Sequence, residues 1–399
     1  MDKVSQDYVD VLAALRQRWL AYVVFCIAFL IGGFMLLLAE WEQSYALRWL
    51  AVSTAAMGYP ILILWREIKH NHRPGDSTLL SSLGLGNLLS LLRGALVAGL
   101  AGFLFSPWPA GWLAWLPGGM YVISDATDFL DGYLARKSGH TTRLGEILEM
   151  SFDGLGVLVA SLLIVQYGQV PIWYLGVAFA RYLFLGGIWI RQRLGMPVYE
   201  LPPSVMRRAF AGLQMGFVAA VLLPVFSPPG TTIAAALFAL PFLAGFLRDW
   251  FFVSGVGWRI RELPGRTKAV LEGWLPVALR VALLLGALPS IVRQFLALES
   301  QTPFMVLITV LEAIALLAVA AGFAGRVAAV IGLVILGIFQ NIEALTIIQY
   351  LMAATYTAIL FLGTGPYSLW KPEEYLIHHH IGERQVVQKQ VGFLDEASG

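Results

Sequence analysis

The stretch Asp128-Phe-Leu-Asp131-Gly132-Tyr-Leu-Ala135-Arg136, followed after eight residues by Gly145-Glu-Ile-Leu-Glu149-Met-Ser-Phe-Asp153, decides how this chain is read. Six of the 25 acidic residues fall within Asp125–Asp153, where two long apolar runs meet. Asp128 and Asp131 are three apart, so they share a helix face. Gly145, Glu149 and Asp153 recur every four residues and line one face of the next helix. With the hydrophilic turn Lys137–Arg143 between them, two antiparallel helices are expected to present four carboxylates to each other.

Outward from this cluster the chain is overwhelmingly apolar. Of 399 residues, 58% are hydrophobic and 13% charged, and the mean hydropathy is +0.72. A soluble domain carries about 25% charged residues, so a water-soluble globule is excluded. A net charge of +2 excludes a nucleic-acid binder that works through bulk charge. The single cysteine, Cys26, excludes a disulfide framework or a cysteine-based metal site. A helix needs about 20 apolar residues to cross the hydrocarbon. Such runs are Trp19–Leu38, Ala46–Trp65, Asn87–Phe105, Trp112–Leu134, Leu144–Tyr167 and Ile172–Ile190. Ala209–Phe226, Ile233–Phe252, Trp274–Phe295, Phe304–Phe323, Val327–Phe339 and Ile342–Leu362 follow, Val327–Phe339 being the shortest. The expected fold is therefore all-α, a polytopic bundle of about twelve transmembrane helices.

Charge bias orients the bundle. Lys3, Arg16 and Arg18 precede the first span, and Arg66, Lys69 and Arg73 follow the second. Arg136, Lys137 and Arg143 follow the fourth, and Arg191, Arg193, Arg207 and Arg208 follow the sixth. The alternate loops Ser106–Gly111, Gln169–Pro171 and Ser227–Thr232 carry no lysine or arginine. The positive-inside rule then puts both termini, the basic loops and the acidic cluster on the cytoplasmic side, as expected for the plasma (inner) membrane. Arg259, Arg261, Arg266 and Lys268, with Gly257 and Pro264, form a basic linker between two membrane modules. The expected organisation is a two-span extension over 1–78, a core over 79–258 and a linker over 259–271. A four-span module over 272–370 and a cytoplasmic tail over 371–399 complete it.

An unpaired carboxylate near the bilayer centre costs about 2.5–3.5 kcal/mol, so the cluster needs a compensating partner. Oxygen-only ligands suit Mg²⁺ or Mn²⁺ over zinc, and two such ions can clamp a diphosphate. Gly132 and Ala135 lie beside the Asp128/Asp131 face and leave room for a ligand to approach the backbone, while Arg136 offers a planar five-donor head to a phosphate.

The whole stretch resembles the signature of the CDP-alcohol phosphotransferase (CDP-alcohol phosphatidyltransferase) family, D-x2-D-G-x2-A-R-x8-G-x3-D-x3-D. Seven of the eight fixed positions match with correct spacing, and the departure is Glu149 where the family has Asp. Asn87-x2-Ser90-x2-Arg93 is similar to the N-x2-[ST]-x2-R that opens the family's first core helix. Ser204-x3-Arg208-x5-Gln214 resembles a later S-x2-G-K-x2-T-x2-Q segment, with Arg207, Arg208 and Ala211 in place of Gly, Lys and Thr. The resemblance implies a CDP-linked lipid donor such as CDP-diacylglycerol, an alcohol acceptor and release of CMP. It implies metal ligation by Asp128, Asp131, Glu149 and Asp153, with Asp153 as the base that deprotonates the acceptor hydroxyl. It also implies CDP contacts from Asp128, Gly132, Ala135, Arg136 and Gly145, with a close approach of the two helices at Gly145. A homodimer is the expected assembly.

Other features are weighed more evenly. Arg191, Arg207 and Arg208 either set topology and bind anionic lipid or recognise an anionic acceptor. His378, His379 and His380 are expected to be a solvated tail, because three consecutive side chains cannot all face one ion. From Gly273 to about Trp370 the chain resembles DoxX-like four-helix membrane domains, through Glu312, Gly322-x3-Arg326 and Gly363-Thr-Gly365-Pro-Tyr-Ser-Leu369. Two rival functions stay open: an impaired family member acting as a membrane scaffold, and a cation transporter using the same carboxylates.

Overall fold

Each expected span forms a helix, as apolar backbone in lipid must pair its own N–H and C=O groups. The computed structural model describes residues 3–76, 78–201, 205–256, 270–297, 302–342 and 346–372. Among them are twelve α-helices. The first six are α1 (Lys3–Glu40), α2 (Gln43–Glu67), α3 (Gly84–Ala101), α4 (Trp115–Lys137), α5 (Arg143–Gln166) and α6 (Leu175–Arg193). The rest are α7 (Val205–Leu222), α8 (Gly230–Val253), α9 (Leu275–Leu296), α10 (Pro303–Ala321), α11 (Gly325–Ile342) and α12 (Ile347–Leu362). Eight are long and apolar enough to cross a membrane, and three shorter apolar stretches lie in α7, α11 and α12. The remaining helix, α4, carries Asp125, Asp128 and Asp131. The described residues thus form a polytopic helical membrane protein, with isolated bridges only at His72–Leu79 and Phe323–Trp370.

Two compact units group these helices. The first holds the described residues up to Phe179 together with Val218–Pro224; the second holds Ala180–Phe217 and the described residues from Val225 onward.

In the first unit α3 is the central element, packing along α2, α4 and α5. Its small residues permit this, since helices in lipid associate through close packing rather than a hydrophobic drive. A Cβ on Gly86 would lie 2.9 Å from the Ala135 Cβ of α4, and one on Gly94 would strike Phe152 of α5 at 2.9 Å. The two N-terminal helices brace the same element. Tyr22 of α1 donates to the Leu91 carbonyl at 2.9 Å, and Trp49 of α2 donates to the Gly99 carbonyl at 2.9 Å.

In the second unit α9 to α12 enclose an apolar core that includes Leu283, Ala287, Leu316, Leu336 and Tyr356. Helix α12 also packs on α8, with Phe361 set against Phe210 and Phe238 at ring separations of 5.5 and 5.3 Å. Arg280 of α9, 6% exposed, donates to the carbonyls of Val319 and Ala320 at the end of α10 and of Thr364 in the closing loop. Those contacts satisfy carbonyls that a helix end leaves without intrahelical partners.

Candidate active site

The site is built on α3. Asn87, Ser90 and Arg93 follow one another at intervals of three and are all buried. Asn87 donates to Thr142 Oγ1 at 3.0 Å, and Thr142 caps α5 by accepting from the Gly145 N–H at 3.1 Å. The start of α5 is thereby fixed to α3. A Cβ at position 145 would lie 2.6 Å from Asn87 Oδ1, so a side chain there would have to displace the Asn87 amide. Gly145 thus faces α3, whereas α4 and α5 touch each other only over a short stretch.

Ser90 donates to Asp131 Oδ2 at 2.8 Å. One turn further, Arg93 is 2% exposed and reaches both carboxylate helices. Its Nη1 lies 2.6 Å from Asp128 Oδ1 and also pairs with Asp153, while its Nη2 pairs with Asp131. Glu149 acts on the same guanidinium through space. Oxygens of Asp128, Glu149 and Asp153 lie within 4.8 Å of one another. Asp131 is buried and held by Ser90 and Arg93 beside that group. Ionised, the four carboxylates and one guanidinium sum to a charge of −3.

Such a group fits a hard divalent cation. Its donors are all carboxylate oxygens, they come from two helices, and the side chains of Asp128 and Asp153 are about one-third exposed at 31% and 28%. Glu149, exposed, brings its carboxylate into the group despite a side chain one methylene longer than aspartate.

The remaining expected residues divide by position. Gly132 is half-buried on α4, and Ala135 packs against Gly86 of α3. Arg136 and Arg208 lie on helices, but their side chains are outside the described residues, as are the basic linker Arg259–Lys268 and His378–His380. Arg191 donates to the carbonyls of Pro197 and Ser254 at 2.9 and 3.2 Å. Arg207 pairs at 2.8 Å with Asp249, which also takes Arg248 at 2.9 Å. These contacts hold together the adjoining ends of α6, α7 and α8. The ion-pairing role of Arg93 was not read from the sequence; a lone arginine three residues after Ser90 in an apolar helix was its available signal. Asp249 was missed too, and nothing near it in the sequence marks it.

Part of the chain is similar to known proteins. Residues 83–250 match the CDP-alcohol phosphatidyltransferase family. A Mycobacterium tuberculosis protein named cardiolipin synthase is 28% identical over 139 residues, which is 34% of this chain and 63% of that relative. A CDP-diacylglycerol–glycerol-3-phosphate 3-phosphatidyltransferase of Bacillus subtilis is 33% identical over 69 residues, 17% of this chain and 36% of the relative. One of the same name from Cereibacter sphaeroides is 26% identical over 140 residues, 34% and 62% of the two chains. The chain therefore spans less than two thirds of the length of these relatives. No solved structure matches it.

Proposed function

We propose that the CDP-alcohol phosphatidyltransferase domain of residues 83–250 transfers a phosphatidyl group from a CDP-linked lipid, such as CDP-diacylglycerol, to an alcohol, releasing CMP. The observation that carries this reading is the convergence of Asp128, Glu149 and Asp153 from two helices, with Arg93 beneath them. Asp153, partly exposed, is the group we assign to the acceptor hydroxyl. The hydroxyl oxygen forms a bond to the phosphatidyl phosphorus, its proton passes to Asp153, and the P–O bond to the CMP phosphate breaks. CMP leaves with that electron pair, and the proton is later released to water. A base within hydrogen-bond reach contributes about 10²–10⁴-fold to such a step.

Asp128, Asp131, Glu149 and Asp153 are the residues we assign to Mg²⁺ or Mn²⁺, with two ions as the expected complement. Bound there, the ions supply positive charge to the diphosphate as its P–O bond breaks. Gly132, Ala135 and Arg136 are assigned to the CDP moiety. For the acceptor we propose a phosphorylated polyol, tested first with glycerol 3-phosphate because relatives carry that substrate in their names. Arg191, Arg207 and Arg208 are the basic group we assign to it, on the cytoplasmic side that the positive-inside rule favours.

The active-enzyme reading is preferred to a scaffold because Glu149 reaches the carboxylate group. We assign the four helices after residue 272 an accessory role, and expect the protein to work as a homodimer. The test is CMP release from CDP-diacylglycerol by the purified full chain in vesicles, with Mg²⁺ or Mn²⁺ and a panel of acceptors that includes glycerol 3-phosphate. Cation-dependent CMP release matched by a new phospholipid supports the reading, and its absence across the panel overturns it.

A further inference from the structure

Arg93 occupies an unusual place for a buried cation. One nitrogen, Nη1, pairs with Asp128 of α4 and Asp153 of α5, two members of the three-carboxylate group. The other, Nη2, pairs with Asp131, which Ser90 also holds. The guanidinium is therefore anchored on one side, and on the other its Nη1 faces two of the carboxylates assigned to a cation. A buried arginine cannot give up a carboxylate without another anion to face, because an uncompensated buried charge is strongly unfavourable. Asp131 remains to it, and the diphosphate of a CDP-linked donor is an anion of the right kind for a planar guanidinium fork.

We propose that Arg93 is a positioning residue whose charge holds the cation place between Asp128 and Asp153, so that divalent cations enter fully only together with the donor's diphosphate. This rests on the phosphatidyltransferase reading of the site. With Arg93 the four carboxylates and the guanidinium together carry −3, and two divalent cations would bring the group to +1, which favours a diphosphate. Without Arg93 the corresponding charges are −4 and 0. Arg93 thus weakens cation binding alone and strengthens the coupling between cation and diphosphate, which would keep the carboxylates from sequestering cations when no donor is present.

The test is Mn²⁺ binding to the purified full chain in detergent, read by electron paramagnetic resonance of free Mn²⁺, with and without saturating CDP as probe. Removing one positive charge from the cluster is expected to make Mn²⁺ alone bind Arg93→Gln about tenfold tighter than wild type. CDP should then tighten Mn²⁺ binding less in that variant than in wild type. Unchanged or weaker Mn²⁺ binding by Arg93→Gln overturns the proposal and leaves Arg93 a structural clamp. If Arg93→Gln does not elute as a homogeneous particle, Arg93→Lys decides. It keeps the charge and should bind Mn²⁺ alone within about threefold of wild type, and a larger shift in either direction overturns the proposal. Asp128→Asn separates the two levels. If, with saturating CDP, wild type binds no more Mn²⁺ than Asp128→Asn, the cation site itself is wrong, and the assignment of Arg93 falls with it.

Discussion

Among the buried arginines of the described helices, Arg93 and Arg280 have surroundings that differ in kind. Arg280 of α9 is surrounded by backbone carbonyls: Val319 and Ala320 at the end of α10, and Thr364 and Pro366 in the loop after α12. Its charge is spread over dipoles that bring no net charge of their own, and what it holds together is a helix end and a loop. Arg93 of α3 is surrounded by carboxylates, which bring more negative charge than it can neutralise. The first arrangement is complete without a ligand. The second leaves net negative charge, and that difference is what sets the proposed role of Arg93 apart from the structural role of Arg280.

Substitutions sharpen the contrast. A large effect is expected from Asp153→Asn, which keeps the volume but cannot take the acceptor's proton. Turnover should fall by about 10²–10⁴-fold, the range for a lost general base. Near-normal CMP release would remove Asp153 from that role. Glu149→Ala should lose more than the about 10–100-fold typical of groups that merely support a metal ligand. Activity equal to wild type would take Glu149 out of the ligand set. Arg280→Met should act on stability alone, at about 1–3 kcal/mol for each buried carbonyl left unpaired. Its thermal melting point should drop while Mn²⁺ affinity stays put, and a parallel loss of Mn²⁺ affinity would erase the distinction between the two arginines. Glu149→Asp, which restores the family residue, should change turnover by less than about tenfold, or 1.4 kcal/mol of barrier.

A chain ending at residue 268 probes the second unit. It keeps Asp128, Asp131, Glu149, Asp153 and Arg93, but it exposes Phe210 and Phe238 where Phe361 packs. Truncated protein that elutes homogeneously should bind Mn²⁺ as the full chain does and melt at a lower temperature. Material that binds the donor without turning it over would show that the last four helices contribute to the reaction.

The helices and the carboxylate cluster were legible because both depend on local spacing. Every apolar run became a helix, and intervals of three and four placed Asp128, Glu149 and Asp153 on faces that meet. What spacing does not carry is which third element lies against those faces. The partners of Arg93, Asp128, Asp131 and Asp153, all lie more than thirty residues away along the chain, so its motif could be matched without disclosing its ion pairs. Gly145 reads as a contact between the two acidic helices, yet it faces Asn87 of α3. The pairing of α8 with α12 through Phe361 was unreadable for a similar reason, since a phenylalanine in an apolar helix marks neither lipid nor a partner.

The most direct test is CMP release by wild type and Asp128→Asn in vesicles containing CDP-diacylglycerol, with Mn²⁺ present or chelated. The account predicts release by wild type only when both Mn²⁺ and an acceptor are supplied, and none by Asp128→Asn under any condition. CMP release that persists in chelator, or in Asp128→Asn with Mn²⁺, would contradict a carboxylate-held cation as the centre of this site.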